Sequence, residues 1–325
     1  MNVGVDVTPL ALTRAGTARY VRNLLQRLPA EVRVRALAFG GPGRAAVLAR
    51  ELGWYPFVLP RMAAHQGLDV LHCPTYYGPV SPRVPVVVTV HDLAVWRHPE
   101  AVGRWTRAYV PRAVPRMLAA AARVIAVSEF TRGELVELLG VPEEKIRVVP
   151  NAVEDVFSAE GEAAEGEYVL AVGTIEPRKN LPRLAEAARR AGRELRAVGA
   201  AGWGGVRLDG VRYLGEVGDD ELARLYRGAL CVAYPSLYEG FGIPVLEAMG
   251  CGAPVVTSRG GATEEGAGGA AVLVDPLDPD AIAAGIEEAV SRREELRALG
   301  LERARAFSWD ESARRTVEIY REVSR

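Results

Sequence analysis

The sequence predicts an α/β fold built from two doubly wound, Rossmann-like domains. Short runs rich in Val and Ile alternate with longer amphipathic stretches almost from end to end. The runs are continuously apolar, which is typical of parallel strands that helices cover on both faces. The alternation pauses once, at 151–167, a stretch rich in Glu, Ala and Gly that indicates a linker. A length of 325 residues suits two domains of roughly 150 residues each.

The first half of the chain predicts six strands with helices between them. The strands are expected at 3–7, 32–39, 70–72, 86–90, 124–127 and 146–149. Helical patterns lie at 17–28, 103–122 and 129–139. In the first of these, one face of the helix is apolar. The residues on that face are Tyr20, Val21, Leu24, Leu25 and Leu28.

The same alternation restarts after the linker. Strands are expected at 168–172, 195–199, 211–214, 230–233, 254–257 and 271–274. Helices are expected over 244–249 and from residues 181, 219, 278 and 294. Two successive βαβ series indicate two doubly wound domains. In such sheets ligands bind beyond the carboxyl ends of the strands, so we expect the active site in strand-to-helix loops facing a cleft between the domains.

Arginine supplies almost all of the positive charge. The chain has 38 Arg and two Lys against 41 acidic residues, for a formal net charge of −1. Residues 1–155 carry a net +6 and residues 156–325 a net −7, so the two halves suit different partners, with chance variation as the alternative. A near-neutral chain with 49% hydrophobic residues is not disordered, and it lacks the charge needed to bind naked nucleic acid. We expect no nucleic-acid partner.

Cysteine usage, the first residues of the sequence and the length of its apolar runs bear on localisation. The three cysteines are scattered without CxxC spacing, which favours a reducing compartment over a disulfide framework. The first residues, MNVGVDVTPL, have neither the basic nor the apolar region of a signal peptide. No apolar run approaches the roughly 18 residues that cross a bilayer. These features predict a soluble, cytoplasmic protein.

The richest loop pattern is SLYEGFGIPVLEAMG at 236–250. Gly240 and Gly242 flank the start of the predicted helix, where backbone N–H groups and the helix dipole favour an anionic ligand. Glu239 and Glu247 lie eight residues apart, and a carboxylate is a good bidentate acceptor for the vicinal hydroxyls of a ribose or hexose. The alternative is a tight turn at the two glycines with a surface salt bridge at Glu247.

A second loop, GTIEPRKN at 173–180, places Arg178 and Lys179 just before a predicted helix. Two cations at a helix N-terminus oppose the usual preference for acidic residues there. We therefore expect an anion between these side chains and the backbone N–H groups. Lys145 is the only other lysine, and this rarity favours a functional Lys179 over a pair of solvated charges.

Two loops of the first half carry further candidates. Gly16 and Thr17 follow the first strand and can present backbone and hydroxyl groups to the same anion from the opposite domain. His91 stands at the carboxyl end of the fourth strand, where it suits a polar or acid–base role. A packed histidine at a strand end is the alternative for His91.

No divalent-cation site is predicted. The only Asp-x-Asp match is Asp278 and Asp280, and a helix N-cap explains it. None of the four histidines pairs with another at helical metal-ligand spacing. The charge that grows on a departing diphosphate would then be stabilised by Arg178, Lys179 and a helix N-terminus. We expect no metal and no cofactor.

Together these motifs resemble those of glycosyltransferase family 4, whose members are retaining nucleotide-sugar enzymes of the GT-B fold. The matching segments, in the family's order, are VHDL at 90–93, VSEFTR at 127–132, VVPNAV at 148–153, EPRKN at 176–180 and EGFGIPVLEAMGCGAPV at 239–255. The last two are highly specific. The subgroup is similar to bacterial mannosyltransferase-like enzymes of polysaccharide biosynthesis. The resemblance implies an acceptor-side domain of residues 1–154 with a C-terminal helix in 307–325 that crosses back, and a donor domain of residues 155–306.

The resemblance also implies roles for the site residues. Arg178 and Lys179 would hold the donor diphosphate, Glu247 the donor ribose and Glu239 the transferred sugar. His91 would lie near the anomeric centre. The backbone groups that would assist are those of Gly16, Gly240, Phe241 and Gly242, with Thr17 beside the first. Two departures from the family pattern are Ala18 and Ala152, where glycine is common. Selection of the nucleobase is expected through backbone groups near Gly215–Val217.

The implied reaction is metal-independent, retaining transfer of a mannose- or glucose-type hexose. The donor would be a GDP- or UDP-sugar, and the acceptor a hydroxyl of a glycan or lipid-linked molecule. We favour attack on the face that the diphosphate leaves; the alternative is a covalent intermediate on Glu239. A nucleotide-sugar epimerase of the same fold is a rival function. A dehydrogenase is disfavoured, because neither half has Gly-x-Gly-x-x-Gly after its first strand.

The positive first half suits an anionic membrane, where a lipid-linked acceptor would lie. Four arginines on the predicted helix 103–122 could attract such a surface: Arg104, Arg107, Arg112 and Arg116. A solvated helix face is the alternative. If the contact exists, we expect a cytoplasmic protein that is peripheral at the inner face of the membrane.

Overall fold

Two parallel six-stranded sheets form the framework of the computed structural model, so the predicted fold class is confirmed. The structure describes residues 1–12, 16–41 and 43–324. The chain divides into two compact units. Unit 1 comprises Met1–Asn151 with Trp309–Arg325, and unit 2 comprises Ala152–Ser308. Each unit is one sheet with helices around it.

The sheet of unit 1 has the strand order β2-β1-β3-β4-β5-β6, and every neighbouring pair is parallel. Its strands are β1 (Asn2–Asp6), β2 (Arg33–Leu37), β3 (Val70–Cys73), β4 (Val86–Val90), β5 (Arg123–Ala126) and β6 (Ile146–Val148). Its helices up to the linker are α1 (Thr8–Leu12), α2 (Gly16–Arg27), α3 (Arg44–Ala49), α4 (Leu59–His65), α5 (Ala94–Arg97), α6 (Arg104–Ala120) and α7 (Glu129–Leu139). A π-helical segment, Arg50–Val58, joins α3 to α4.

The sheet of unit 2 has the order β12-β11-β10-β7-β8-β9, again parallel throughout. Its strands are β7 (Tyr168–Val172), β8 (Glu194–Val198), β9 (Val211–Gly215), β10 (Cys231–Tyr234), β11 (Val255–Ser258) and β12 (Val272–Val274). Its helices are α8 (Leu181–Arg190), α9 (Asp219–Gly228), α10 (Ile243–Gly250), α11 (Ala262–Ala267), α12 (Pro279–Ser291) and α13 (Arg293–Arg305). The strand order reverses between β7 and β10, and a doubly wound sheet binds ligands at such a point.

Continuous burial explains why the strands are apolar without alternation. All five residues of β4 are buried, and they point alternately into two separate cores. Val88 belongs to the core that α6 covers, whereas Val87 belongs to the core on the other face of the sheet. The strand is thus covered on both sides, as a parallel strand in an α/β unit must be.

The last helix, α14 (Trp309–Val323), completes unit 1 although unit 2 precedes it in the chain. Val317 and Tyr320 of this helix lie in the same core cluster as Val3 and Val5 of β1. The helix also makes a polar contact, since the Tyr320 hydroxyl lies 2.6 Å from Nδ1 of the buried His72. Unit 1 therefore draws its core from both ends of the chain.

The sequence pattern does not predict the helical region at 44–65. There α3, the π-helical segment and α4 follow one another, with Pro56 inside the π-helical segment. Its apolar side chains are partly exposed, among them Leu52 and Phe57, so they follow no single buried stripe. Within the described residues, no helix has both the length and the apolar character to span a bilayer.

Candidate active site

The loop after β7 presents Arg178 and Lys179 in a fixed turn. Pro177–Lys179 form one turn of 3₁₀-helix, and Asn180 then adopts a left-handed conformation with φ of 60° before α8 begins. The Asn180 side chain stabilises this strained residue, because its Nδ2 donates to the carbonyl oxygens of Pro235 (3.0 Å) and Pro276 (2.6 Å). The turn that carries both cations is therefore bound to the end of β10 and to the loop after β12.

The loop after β10 leads into α10 through a glycine. Gly242 has a φ of 90°, and a Cβ atom there would lie 2.8 Å from Cγ2 of Thr263. Gly242 is the N-cap of α10 and supplies no side-chain hydrogen bond, while Pro244 occupies the first turn. The first N–H groups of the helix are thus not capped by the Gly242 residue, which fits the predicted anion-binding role of this turn.

The structure brings Arg178, Lys179 and Glu239 into direct contact. Lys179 Nζ donates to Glu239 Oε1 at 2.6 Å, and Arg178 Nη1 donates to Glu239 Oε2 at 2.8 Å. The hydroxyls of Ser236 (2.6 Å) and Tyr234 (3.0 Å) also donate to Oε1. Glu239 is therefore a carboxylate with four hydrogen-bond donors around it.

A second carboxylate completes the pairing of the two cations. Glu176 Oε1 accepts from Nη2 (2.6 Å) and Nε (3.0 Å) of Arg178. Trp203 Nε1 donates to the other oxygen of the same carboxylate at 3.0 Å. Two positive side chains thus face two negative ones, and the group is balanced in charge.

Electrostatics keep Glu239 ionised. Burial alone would raise the pKa of its carboxyl, but Lys179 and Arg178 outweigh that effect and lower the pKa to about 2. Burial lowers the pKa of Lys179 below its ordinary value of 10.5, although Glu239 acts in the opposite direction. Burial, with Glu239 nearby, holds the pKa of Tyr234 well above 10.0, so that hydroxyl keeps its proton and donates it.

Glu247 lies inside unit 2. It is 2% exposed, and the Tyr226 hydroxyl donates to its Oε2 at 3.0 Å. The alternative of a surface salt bridge at Glu247 is therefore wrong. The two glycines of this loop and Phe241 are also buried, and the Phe241 ring packs edge-on against Phe307 with ring centroids 5.8 Å apart.

In unit 1, His91 is the first residue after β4, at the carboxyl end of that strand. Its Nε2–H donates to the Pro74 carbonyl oxygen at 3.1 Å, and its ring packs edge-on against Tyr20 with centroids 4.9 Å apart. Burial lowers the pKa of His91 below 6.5, so the neutral imidazole, with Nδ1 as the acceptor, is favoured at neutral pH. His91 is both packed at a strand end and partly accessible.

Gly16 and Thr17 begin α2 in unit 1. Gly16 is exposed and Thr17 is half-buried, while Ala18, the departure from the family pattern, is buried. Residues 13–15, the earlier part of this predicted loop, lie outside the described residues. Gly16 is thus the exposed first residue of a helix, as a backbone contact to an anion requires.

The Asp-x-Asp match acts as predicted in a helix start. Asp278 is the N-cap of α12, and its Oδ1 accepts from the backbone N–H of Asp280 at 2.8 Å. Among the residues that the structure describes, no group of three or more His, Cys, Asp or Glu is placed to hold a metal ion.

Sequence reasoning missed several members of the site. Tyr234 and Ser236 donate hydrogen bonds to Glu239. Glu176 accepts from both Arg178 and Trp203, and the Asn180 side chain stabilises the turn. Glu176 and Asn180 lie inside the recognised EPRKN segment, which was the available signal for them. Nothing in the local pattern marks Trp203, because its partner lies 27 residues away.

Comparison with known proteins finds the same family across most of the chain. The model of Glycosyltransferase Family 4 matches residues 14–157, and that of Glycosyl transferases group 1 matches residues 166–292. The chain is 33% identical to O-antigen chain mannosyltransferase B of Escherichia coli, over 78% of this chain and 74% of that protein. It is 31% identical to the MMP alpha-(1->4)-mannosyltransferase of Mycolicibacterium hassiacum, over 73% of this chain and 65% of that protein.

Solved structures share the fold over the whole chain. Sucrose-phosphate synthase from Thermosynechococcus elongatus has a TM-score of 0.77 at 20% identity, covering 99% of this chain and 98% of that one. Anabaena HepE in complex with UDP-glucose has a TM-score of 0.73 at 16% identity, covering 99% of both chains. At these identities the similarity establishes the fold.

Proposed function

Because the chain belongs to glycosyltransferase family 4 and is a glycosyltransferase, we propose that it transfers a mannose- or glucose-type hexose from a GDP- or UDP-sugar to a hydroxyl of a glycan or lipid-linked acceptor. The named relatives support this range, since they include mannosyltransferases and a protein solved with UDP-glucose. They give no support to the rival function of an epimerase.

The contact of Arg178 and Lys179 with Glu239 at the switch point of unit 2 carries the proposal. Two cations at a parallel sheet's carboxyl edge are the chemistry that a diphosphate needs. A largely buried, ionised carboxylate beside them can accept hydrogen bonds from sugar hydroxyls. When a diphosphate binds, it replaces Glu239 as the partner of the cations, and Glu239 turns to the sugar.

The remaining residues fit the same donor. Glu247 accepts from the ribose hydroxyls, in exchange for its present bond to Tyr226. In unit 1, His91 Nδ1 is proposed to accept from a sugar hydroxyl. Backbone groups of Gly240, Phe241 and Gly242 in unit 2 contact the sugar and the phosphates. Gly16 and Thr17 of unit 1 are proposed to bind an anion through backbone and hydroxyl groups.

We propose retention by attack on the face that the leaving group departs from. The bond between the anomeric carbon and the diphosphate oxygen breaks, its electron pair goes to the diphosphate, and the acceptor oxygen bonds to the same face. A diphosphate oxygen takes the acceptor proton. On this route Glu239, which accepts from the sugar hydroxyls, is not required as a nucleophile.

Metal independence is part of the proposal. Arg178, Lys179 and the first N–H groups of α10 supply positive charge where the leaving diphosphate develops negative charge. Activity retained in excess EDTA would support this view, and activity restored only by Mn²⁺ or Mg²⁺ would overturn it.

Calorimetry tests the donor. Titrations with GDP-mannose, UDP-glucose, UDP-N-acetylglucosamine and the free nucleotides identify the base and the sugar together. Binding of none of these compounds would refute the proposed function. The anomeric proton of the product, observed by NMR, tests retention, and inversion would refute it.

We also propose a peripheral contact between unit 1 and an anionic membrane. Arg104, Arg107, Arg112 and Arg116 are all exposed on α6, and within the described residues none of them makes an ion pair. The variant Arg112→Gln/Arg116→Gln should sediment less with anionic vesicles, while neutral vesicles bind neither protein. Equal sedimentation with anionic and neutral vesicles would contradict the proposed membrane contact.

A further inference from the structure

One exposed aromatic side chain stands beside the diphosphate-binding cations without a role in the reaction described above. Trp203 lies in the loop between β8 and β9 and is 40% exposed. Burying an indole is favourable, so an exposed one held in a fixed position is a surface suited to a flat ligand.

Two sets of contacts fix the loop that carries Trp203. A Cβ atom on Gly202 would lie 2.3 Å from the carbonyl oxygen of Ile175, and one on Gly204 would lie 2.6 Å from Cγ of Pro177. The loop therefore packs closely along the segment that leads to Arg178, with only glycine permitting the approach. The Ile175 N–H also donates to the carbonyl oxygen of Ala200 at 2.9 Å.

The indole is tied to the cation that would hold the diphosphate. Trp203 Nε1 and Arg178 bind opposite oxygens of the single Glu176 carboxylate. At its other end, the loop joins the turn where the sequence predicts the nucleobase, since the Gly199 N–H donates to the Gly215 carbonyl oxygen at 2.9 Å. The loop that carries Trp203 thus contacts both the segment around Arg178 and the turn at Gly215.

We propose that the Trp203 ring is a stacking platform for the nucleobase of the donor nucleotide. The proposal rests on the proposed function, because it assumes a nucleoside diphosphate at Arg178 and Lys179. Every nucleobase has a π-face, so stacking adds affinity without choosing between guanine and uracil. The choice of base is left to hydrogen-bonding groups near Gly215.

The test compares a nucleoside diphosphate with inorganic pyrophosphate, which has the same charged groups and no base. In calorimetry, Trp203→Ala should weaken binding of GDP or UDP by roughly tenfold, the loss of one base–aromatic stack. Binding of pyrophosphate should stay within about twofold. Trp203→Phe keeps an aromatic face and should retain most of the affinity for the nucleotide.

A matched control separates stacking from displacement of the loop. The Tyr213 hydroxyl donates to the Gly199 carbonyl oxygen at 2.7 Å. Tyr213→Phe removes this hydrogen bond to the loop and keeps the aromatic rings at positions 203 and 213. This variant should bind nucleotide like the wild type. As a direct readout, nucleotide should quench tryptophan fluorescence in the wild type and much less in Trp203→Phe.

Each remaining outcome is decisive. If Trp203→Ala weakens nucleotide and pyrophosphate equally, Trp203 acts only through Glu176 on Arg178, and the platform is refuted. If wild type and Trp203→Ala bind nucleotide equally, the platform is refuted while the proposed function stands. If the wild type binds pyrophosphate but no nucleotide, the proposed function fails first.

Discussion

Lys179 and Glu239 are 60 residues apart in the chain, and each is the other's closest charged partner in the site. The ion pair has two consequences at the level of single residues. In the proposed reaction it keeps a largely buried lysine next to the leaving group, and it makes Glu239 a competitor of any anion that approaches that lysine. Each consequence leads to a substitution.

Replacing Lys179 by alanine should lower turnover by a factor of about 100 or more, because a cation that meets charge developing on a leaving group acts mainly in the transition state. Steady-state rates with the donor identified by calorimetry measure this. Lys145 is the matched control: it is the only other lysine, and its Nζ donates to the Ala119 carbonyl oxygen in unit 1. Lys145→Ala should turn over like the wild type, and a near-normal rate for Lys179→Ala would remove it from the mechanism.

Glu239→Gln should bind free GDP or UDP more tightly, by roughly tenfold, since the variant no longer opposes the diphosphate with a negative charge. Turnover should fall, because the variant loses an anionic acceptor for the sugar hydroxyls. Titration calorimetry measures the affinity, with the exposed Glu288→Gln as control. Weaker binding of nucleotide by Glu239→Gln would contradict the exchange of partners at the cations.

At the level of elements, α14 is held to unit 1 by a buried polar contact as well as by apolar packing. His72 Nδ1 forms a hydrogen bond with the Tyr320 hydroxyl, whose pKa burial holds well above 10.0, and Nε2 forms one with Thr89 Oγ1 at 2.8 Å. Burial lowers the pKa of His72 to about 3. Burial therefore favours the neutral imidazole in the folded protein.

The folded protein should therefore lose stability as the pH falls. The pKa of His72 is depressed, so its contribution is complete above about 6.5 and is lost as the pH falls toward 3. Between those values it adds a slope of about 1.4 kcal/mol per pH unit to the free energy of unfolding. Urea denaturation of His72→Gln at pH 4 to 6.5 should show a slope smaller by that amount. The exposed His65→Gln is the control, and an unchanged slope in His72→Gln would contradict the assignment.

The start of α10 depends on a residue without a side chain. Gly242→Ala forces a Cβ into a left-handed backbone and against Thr263, which should cost about 1–2 kcal/mol of unfolding free energy. Thermal or urea unfolding measures it. Gly133→Ala is the control, since Gly133 lies within α7 and an added Cβ meets nothing within 4 Å. That change should be stabilising by up to about 1 kcal/mol, and similar effects of the two substitutions would contradict the strain at Gly242.

Elements with a local signal could be predicted from the sequence, and contacts between distant segments could not. The strand Tyr168–Val172 and the helix Glu129–Leu139 have the predicted bounds, because a continuous apolar run or a capped periodic pattern lies within each. The N-cap at Asp278 is equally local. The partners of Glu239 come from two loops that only the folded sheet brings together. The sequence therefore predicted Arg178, Lys179 and Glu239 as site residues but not the ion pairs between them.

At the level of the whole molecule, assigning α14 to unit 1 sharpens the charge difference found in the sequence. Unit 1 carries 23 basic and 15 acidic residues, and unit 2 carries 17 and 26. Unit 1 therefore has a net charge of +8 and unit 2 a net charge of −9.

Removing residues 309–325 should destabilise unit 1 and leave unit 2 folded. The deletion uncovers the apolar surface of β1 that Val317 and Tyr320 bury. Hydrogen-exchange mass spectrometry should show lost protection in β1 and β3, with β7 and β10 unchanged. The double variant Arg314→Ala/Arg321→Ala, on the exposed side of α14, is the control. Loss of protection confined to unit 2 would contradict the division into units.

The path of the chain also orders events during synthesis. The ribosome releases the sheet of unit 1 first, but α14 emerges only after the 157 residues of unit 2. At about 5–20 residues per second, the newborn β1 face waits for roughly 8 to 30 s before its covering helix exists. We therefore expect nascent unit 1 to be the segment that holding chaperones recognise until α14 has been synthesised.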